Sequence, residues 1–343
     1  MLDKVELGKQ IDRLIDYLAQ LQNENGSFEG KFLFSAQPEK GWLSWGDLPY
    51  DTASIILSLH TIESVTAKQI INKSCKYLLS ENLDKKAWRF SSSQGYDPLL
   101  FDIDSTAISS FALELYGNKI ENKSFLNYFI DKNNNYKTWL VPSYPSFKIP
   151  FPTYVKLFWE SKRAIRLNKF NISLSDWEFS INCNVLLHVN KSDDNKHVWE
   201  KVISDFKKND IECRYYNKYY AIYAYARLYA FSKCDELYVS EKLMLSYINE
   251  LTEQLAETNF SLNHVFLANT IMLLKLDRTN YQPVFETCTN HVFSEKYKIP
   301  EAYYSSNLIY DKNPDNDEPV IYFGSEGLTC SLYIEFIVLY NQQ

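Results

Sequence analysis

Phe101-Asp-Ile-Asp-Ser-Thr-Ala-Ile-Ser-Ser-Phe-Ala-Leu-Glu-Leu-Tyr116 is the stretch on which the fold turns. From 105 to 116 it is apolar or small nearly all round, and a helix without a polar face is a buried one. Five other segments share that character: 51–62, 180–189, 219–231, 264–276 and 328–340. Between them lie amphipathic segments with one apolar stripe each. Leu7, Ile11, Leu14, Ile15, Leu18 and Leu21 make the first stripe, and Ala67, Ile70, Ile71, Cys75, Leu78 and Leu79 the second. The rest are Phe125-Leu126-Phe129-Ile130, Val198-Val202-Ile203-Phe206, Leu243-Tyr247-Ile248-Leu251-Leu255 and Val284-Phe285-Cys288-Val292. Half-exposed and buried helices therefore alternate six times. The simplest closed arrangement is an inner ring wrapped by an outer one. We expect an all-α (α/α)6 toroid, with residues 1–343 as one domain.

In such a ring every outer-to-inner connection lies at one end of the barrel. Those connections include the long ones, 23–50, 81–103, 132–178 and 294–327, and they hold much of the aromatic content. Structureless loops of such length are usually functional or disordered. Aromatic-rich segments bury enough surface to order themselves. The end that carries Asp102 and Asp104 is thus expected to be roofed by aromatic loops over an active cavity.

Composition narrows the function. A net charge of -7 and a pI near 5.4 argue against a nucleic-acid surface, which needs a basic stripe. No run approaches the roughly 18 apolar residues that cross a bilayer. The N-terminus Met-Leu-Asp-Lys-Val-Glu has no apolar signal core. The six cysteines lie far apart, without zinc-like spacing, as free thiols in a reducing compartment do. A cytoplasmic protein without a metal site is expected.

Asp104 stands at the N-terminal edge of the apolar helix, with Asp102 beside it. Burial disfavours the charged form of a carboxyl group, so a dry pocket keeps its proton in place. The alternative is that Asp104 or Ser105 caps the helix, satisfying free backbone N–H groups. A weak internal repeat surrounds this motif, since Tyr50-Asp51-Thr52-Ala53 opens the first inner helix as Asp104-Ser105-Thr106-Ala107 opens the second. A second element, Gln22-x-x-x-Gly26-x-Phe28, follows the first outer stripe. Gly26 there permits a tight turn, and Phe28 can pack back on the helix end.

In these elements the chain resembles the class II terpene cyclases and the squalene-hopene and oxidosqualene cyclases. Their repeats end in Gln-x-x-x-Gly-x-Trp, which Gln22, Gly26 and Phe28 match with Phe for Trp. Their catalytic Asp-x-Asp-Asp-Thr-Ala is matched by Asp102-Ile103-Asp104-Ser105-Thr106-Ala107 with Ser105 for the third Asp. The resemblance implies a terpene cyclase that protonates a prenyl diphosphate or other polyprenyl chain. Asp104 is then the general acid and Asp102 its flanking carboxylate, able to share a proton with it. Trp42, Trp45, Tyr50, Phe101 and Trp139 become candidates for a lining that stabilises carbocations through their ring faces. Asp51 and Arg227 join them as substrate-binding candidates, Arg227 facing a diphosphate or pairing with a carboxylate. No cofactor is required, and Mg²⁺ enters only with a diphosphate substrate. Larger cyclases enclose substrate between two barrels, whereas this chain has room for one. Its aromatic loops, a homodimer partner or a separate protein would have to close the cavity.

Two other readings fit the same scaffold. One is an (α/α)6 carbohydrate-active enzyme in which a carboxylate pair such as Asp51 and Asp104 serves as acid and base. The other is a non-catalytic toroid that shields an oily intermediate. Protein prenyltransferase β-subunits share the toroid too, but the sequence shows no Asp, Cys and His zinc set. His188 and His264 read as core or cap residues, and Asn182 and Asn184 as polar groups able to reach the cavity.

Overall fold

The structure is a computed structural model that describes residues 4–35, 38–91, 101–142, 149–164, 176–232, 234–237, 241–256, 258–294, 298, 302–306 and 321–342. Stretches of all four long loops, with Phe147 among them, lie outside the described residues. Among the described residues the helices are α1 (Lys4–Leu21), α2 (Pro49–Leu59), α3 (Val65–Ser80), α4 (Ile103–Leu115), α5 (Lys123–Leu126), α6 (Phe151–Ala164) and α7 (Phe179–Val189). They continue as α8 (Lys196–Lys208), α9 (Lys218–Ser232), α10 (Glu241–Leu255), α11 (Leu262–Leu273), α12 (Gln282–Phe293) and α13 (Glu326–Gln342).

The six apolar helices form the inner ring. In the order α2, α4, α7, α9, α11, α13 each packs against the next, and α13 closes back on α2. Every residue of α2 and α7 is buried, so these helices have neighbours on all sides, as their composition demands. The outer helices lie against them, α1 on α13, α3 on α2, α8 on α7, and α10 and α12 on α11. The inner helices run parallel. First turns meet first turns, as Tyr50 of α2 does Tyr220 of α9. Last turns meet last turns, with Phe231 against His60 and Phe111 at the far end. The fold is an (α/α)6 toroid.

Hydrogen bonds explain the repeat. Thr52 Oγ1 accepts the Phe28 N–H at 3.2 Å, and Thr106 Oγ1 accepts the Trp88 N–H at 3.0 Å. Each Thr thus ties the early part of the connection that leads to its helix to the helix's first turn. Gln22 Nε2 donates to the Gly26 and Ile70 carbonyls and to Ser74 Oγ at 2.9–3.1 Å, pinning the end of α1 to α3. Gly26 has φ +94, and a Cβ there would meet the Lys73 carbonyl oxygen at 2.2 Å. Only glycine fits that approach.

The third pair departs from expectation. The Phe125-Leu126-Phe129-Ile130 stripe forms just α5 and one 3₁₀ turn, Asn127–Phe129. Asp131 stops it, its Oδ1 accepting the N–H groups of Asn133 and Asn135 in a tight loop. An additional helix, α6, occupies part of the 132–178 connection. Pro150 and Pro152 mark a loop in the sequence, yet proline is compatible with a helix's first turn.

Two of the long connections form a sheet. The strands β1 (Glu29–Phe34), β2 (Leu43–Asp47), β5 (Ala302–Ser306) and β6 (Ile321–Gly324) pair antiparallel in the order β2-β1-β6-β5. β3 (Trp88–Arg89) pairs separately with β4 (Phe101–Asp102) just before α4. Both sheets belong to outer-to-inner connections, so both stand at the end where the inner helices begin. Phe32, Trp45 and Phe323 meet edge to face on the larger sheet at 5.1–5.2 Å, and Phe90 beside β3 reaches Phe323 at 6.3 Å.

Candidate active site

Asp102 and Asp104 divide the two roles that the sequence left open. Asp102 is the cap. It sits in extended backbone before α4, and its Oδ1 accepts the Ser105 N–H at 2.7 Å. Its other oxygen, Oδ2, is buried with no hydrogen-bond partner among the described residues. The shared hydrogen bond expected between the two carboxyls is absent among the described contacts, because capping aims Asp102 at its own helix.

Asp104 projects inward from the first turn of α4 and is 4% exposed. Asn184 Nδ2 of α7 donates to its Oδ1 at 2.9 Å. The Tyr216 hydroxyl, just ahead of α9, donates to its Oδ2, also at 2.9 Å. Asn184 donates in addition to the Tyr220 hydroxyl at 3.1 Å, which is hydrogen-bonded to the Tyr50 hydroxyl. α2 and α9 stand opposite each other in the ring, so the Tyr50–Tyr220 pair spans the lumen beside Asp104. Tyr216 stacks on Tyr220 at 4.2 Å, and Phe266 closes on Tyr220 edge to face. The acid is surrounded by aromatic rings.

Desolvation dominates its electrostatics. Burial pushes Asp104 up to about 6, against the opposing pull of the Asn184 and Tyr216 hydrogen bonds and the Arg227 charge. Asp102 is pushed further, to about 8, by burial and then by the like charge of Asp104, with the Ser105 N–H pulling the other way. The two carboxyls do not ionise together, and the pair titrates as a unit. Asp104 is the stronger acid of the two, because Asn184, Tyr216 and the Arg227 charge favour its carboxylate while its own charge disfavours that of Asp102. Burial also raises Tyr50 and Tyr220, so both remain neutral phenols.

The other candidates divide by position. Tyr50 lines the lumen, and Asp51 is fully buried in the first turn of α2. Trp139 is buried beside Asp102, to which its backbone is bridged, with Tyr215 edge-on at 6.4 Å. Trp45 belongs to the larger sheet, and Trp42 is half-buried at its edge. Phe101 is buried, but the Arg89 guanidinium lies 4.2 Å over its ring. One face of that ring therefore holds a cation of the protein's own. Arg227 lies one level deeper, its guanidinium 5.3 Å over the Tyr223 ring. It makes no ion pair among the described residues, and its Nη2 has no hydrogen-bond partner there. The Asp104 and Glu335 charges act on it at longer range, and Glu335 accepts the Tyr223 hydroxyl at 2.6 Å.

Tyr220 escaped the sequence reading because tyrosine on a buried helix is indistinguishable from core, and Tyr216 because it precedes the apolar segment. Asn184 was singled out there without being ranked above Asn182. The structure separates them, as Asn182 only accepts the Tyr136 N–H and donates to the Glu178 carbonyl. His188 and His264 are indeed core and cap residues. Among the described residues no cluster of three or more His, Cys, Asp or Glu is placed to hold a metal, and no helix is long and apolar enough to cross a membrane.

The same fold is found in solved structures, a type II terpene cyclase among them. The chain is similar over 98% of its length to a protein from Actinoplanes, of which it covers 99%, with a TM-score of 0.70 and 12% identity. It is similar also to the type II terpene cyclase MstE from Scytonema, solved as a variant in complex with its substrate, geranylgeranyl dihydroxybenzoate. There the TM-score is 0.63 and the identity 12%, over 98% of both chains. No family model and no curated protein sequence matches the chain.

Proposed function

We propose that this protein is a class II-like terpene cyclase in which Asp104 protonates a polyprenyl chain and so starts its cyclisation. The observation that carries the reading is a carboxyl group 4% exposed, raised by desolvation and ringed by Tyr50, Tyr216 and Tyr220 at the head of an (α/α)6 lumen. An alkene is a very poor base, so its acid must be un-ionised and shielded from water. An apolar substrate displaces the remaining solvent and raises the acid further, holding the proton until it is delivered.

Proton transfer places a C–H bond on the alkene and a negative charge on Asp104. Asn184 and Tyr216 already point their donors at the two oxygens where that charge develops. Fixed donors of this kind stabilise the transition state more than the ground state. The carbocation then closes rings over the tyrosine faces, each interaction worth about 0.5–2 kcal/mol, until a proton is lost. Mg²⁺ enters only if the substrate brings a diphosphate.

The direct test incubates the protein with farnesyl diphosphate, geranylgeranyl diphosphate and geranylgeranyl dihydroxybenzoate, followed by chromatography and mass spectrometry. A cyclic isomer of unchanged mass is expected from at least one substrate, and at least about a hundredfold less of it from Asp104→Asn. Folded wild-type protein that leaves all three linear refutes the reading.

A further inference from the structure

Asp104 does not hold its two donors unaided. The backbone that carries Tyr216 lies in an irregular segment ahead of α9, whose Tyr215 and Tyr216 N–H groups point to a side chain. Glu178 takes both. Its Oε2 accepts the Tyr215 N–H at 2.7 Å, and its Oε1 accepts the Tyr216 N–H at 3.0 Å. Ser180 Oγ donates to the same Oε1 at 2.8 Å and fixes the carboxylate's rotamer. Glu178 is fully buried. It is also the residue that opens α7, whose second turn presents Asn184 to Asp104. Its side chain therefore stands behind the Tyr216 donor, while the helix it precedes carries the Asn184 donor.

We infer that Glu178 is the positioning residue for the Asp104 acid, clamping the Tyr215–Tyr216 backbone so that the Tyr216 hydroxyl meets Asp104 Oδ2. Neighbouring contacts support a rigid clamp. Asp176 accepts from Arg214 Nη1 at 2.6 Å and from the Tyr215 hydroxyl at 2.8 Å, while its carbonyl accepts the Thr138 N–H at 2.7 Å. The segment is thereby held from both sides. A buried carboxylate with such a role bears a desolvation cost, and burial raises Glu178 to about 8 against its three hydrogen bonds. A glutamine in its place would turn an N–H₂ toward one of the two backbone N–H groups, leaving a donor facing a donor.

The inference rests on the cyclase reading only where it names Asp104 an acid, so its test includes a readout that needs no turnover. Selective ¹³Cγ-aspartate labelling, with Asp104→Asn to assign the signal, follows the titration of Asp104 itself. In Glu178→Gln, Asp104 is expected to titrate at higher pH than in the wild type, as in Tyr216→Phe, because the hydrogen bond favouring its carboxylate is lost. Adding Glu178→Gln to Tyr216→Phe should move it little further, since the clamped hydroxyl is already gone. With an active wild type, kcat should fall at least tenfold with KM changed less than twofold, and the basic limb of the pH profile should shift upward. A wild-type Asp104 titration in folded Glu178→Gln overturns the inference, whether or not cyclisation is found. Additive shifts in the double variant overturn it as well. Should Glu178→Gln not fold, Ser180→Ala loosens the same carboxylate and is read by the same titration.

Discussion

At Asp104 the helix dipole and desolvation pull in opposite directions. The positive end of α4 favours the carboxylate by about 0.3–1 kcal/mol. The rise from an ordinary 3.8 to about 6 corresponds to about 3 kcal/mol, so burial wins. If Asp104 is the acid, kcat/KM should decline as pH rises through about 6, since the ionised form cannot donate. Asp104→Asn should lower turnover by about 10²–10⁴-fold with its thermal melt nearly unchanged. Asp102, Asp104 and Glu178 all hold protons more tightly folded than unfolded. Their contribution to stability is therefore fullest below about pH 4 and is lost as pH climbs toward 8. Melting temperature should fall from pH 5 to pH 8. Asp102→Asn, which retains a good N-cap, should flatten that slope. A wild-type slope in the variant would show that Asp102 ionises normally.

The repeat elements concern stability. Thr106→Val would leave the buried Trp88 N–H without its acceptor, at a cost of about 1–3 kcal/mol. Gln22→Ala removes the side-chain donor shared by the Gly26 carbonyl and by Ile70 and Ser74 of α3, and at about 1 kcal/mol per bond should destabilise by about 1–3 kcal/mol. Denaturant titration measures both losses, while activity per folded molecule should persist for Gln22→Ala because α1 does not touch the acid. An unaltered unfolding midpoint would show that the staple is ornamental. The elements that departed from expectation did so for local reasons. α5 stops where Asp131 captures two backbone N–H groups, and α6 begins at prolines that sequence patterning reads as a break.

For the molecule as a whole, the closing of the ring's open end is the question that the sequence raised and left among several answers. Here the chain's own sheet and the β3–β4 pair stand at that end, joined through Phe323, Trp45 and Phe90. If these strands close it, specific activity should stay constant on serial dilution, whereas closure by a second subunit would make it fall. Trp45→Ala should admit water above the acid, so that products quenched by water appear beside the cyclic isomer. An unchanged product mixture would mean that the roof lies elsewhere.

The alternation of stripe and all-apolar helices was sufficient by itself to establish the ring, because a helix hydrophobic on every side has no other place to go. Asp102-Ile103-Asp104 likewise located a buried carboxyl pair, since a carboxyl group heading such a helix must face burial. Which carboxyl caps and which projects inward was decided only by the tertiary structure, through one backbone N–H at Ser105. The same holds for Asn184, Tyr216, Tyr220 and Glu178, which meet Asp104 from segments far along the chain. No local pattern marks them, because their roles exist only where separate helices converge.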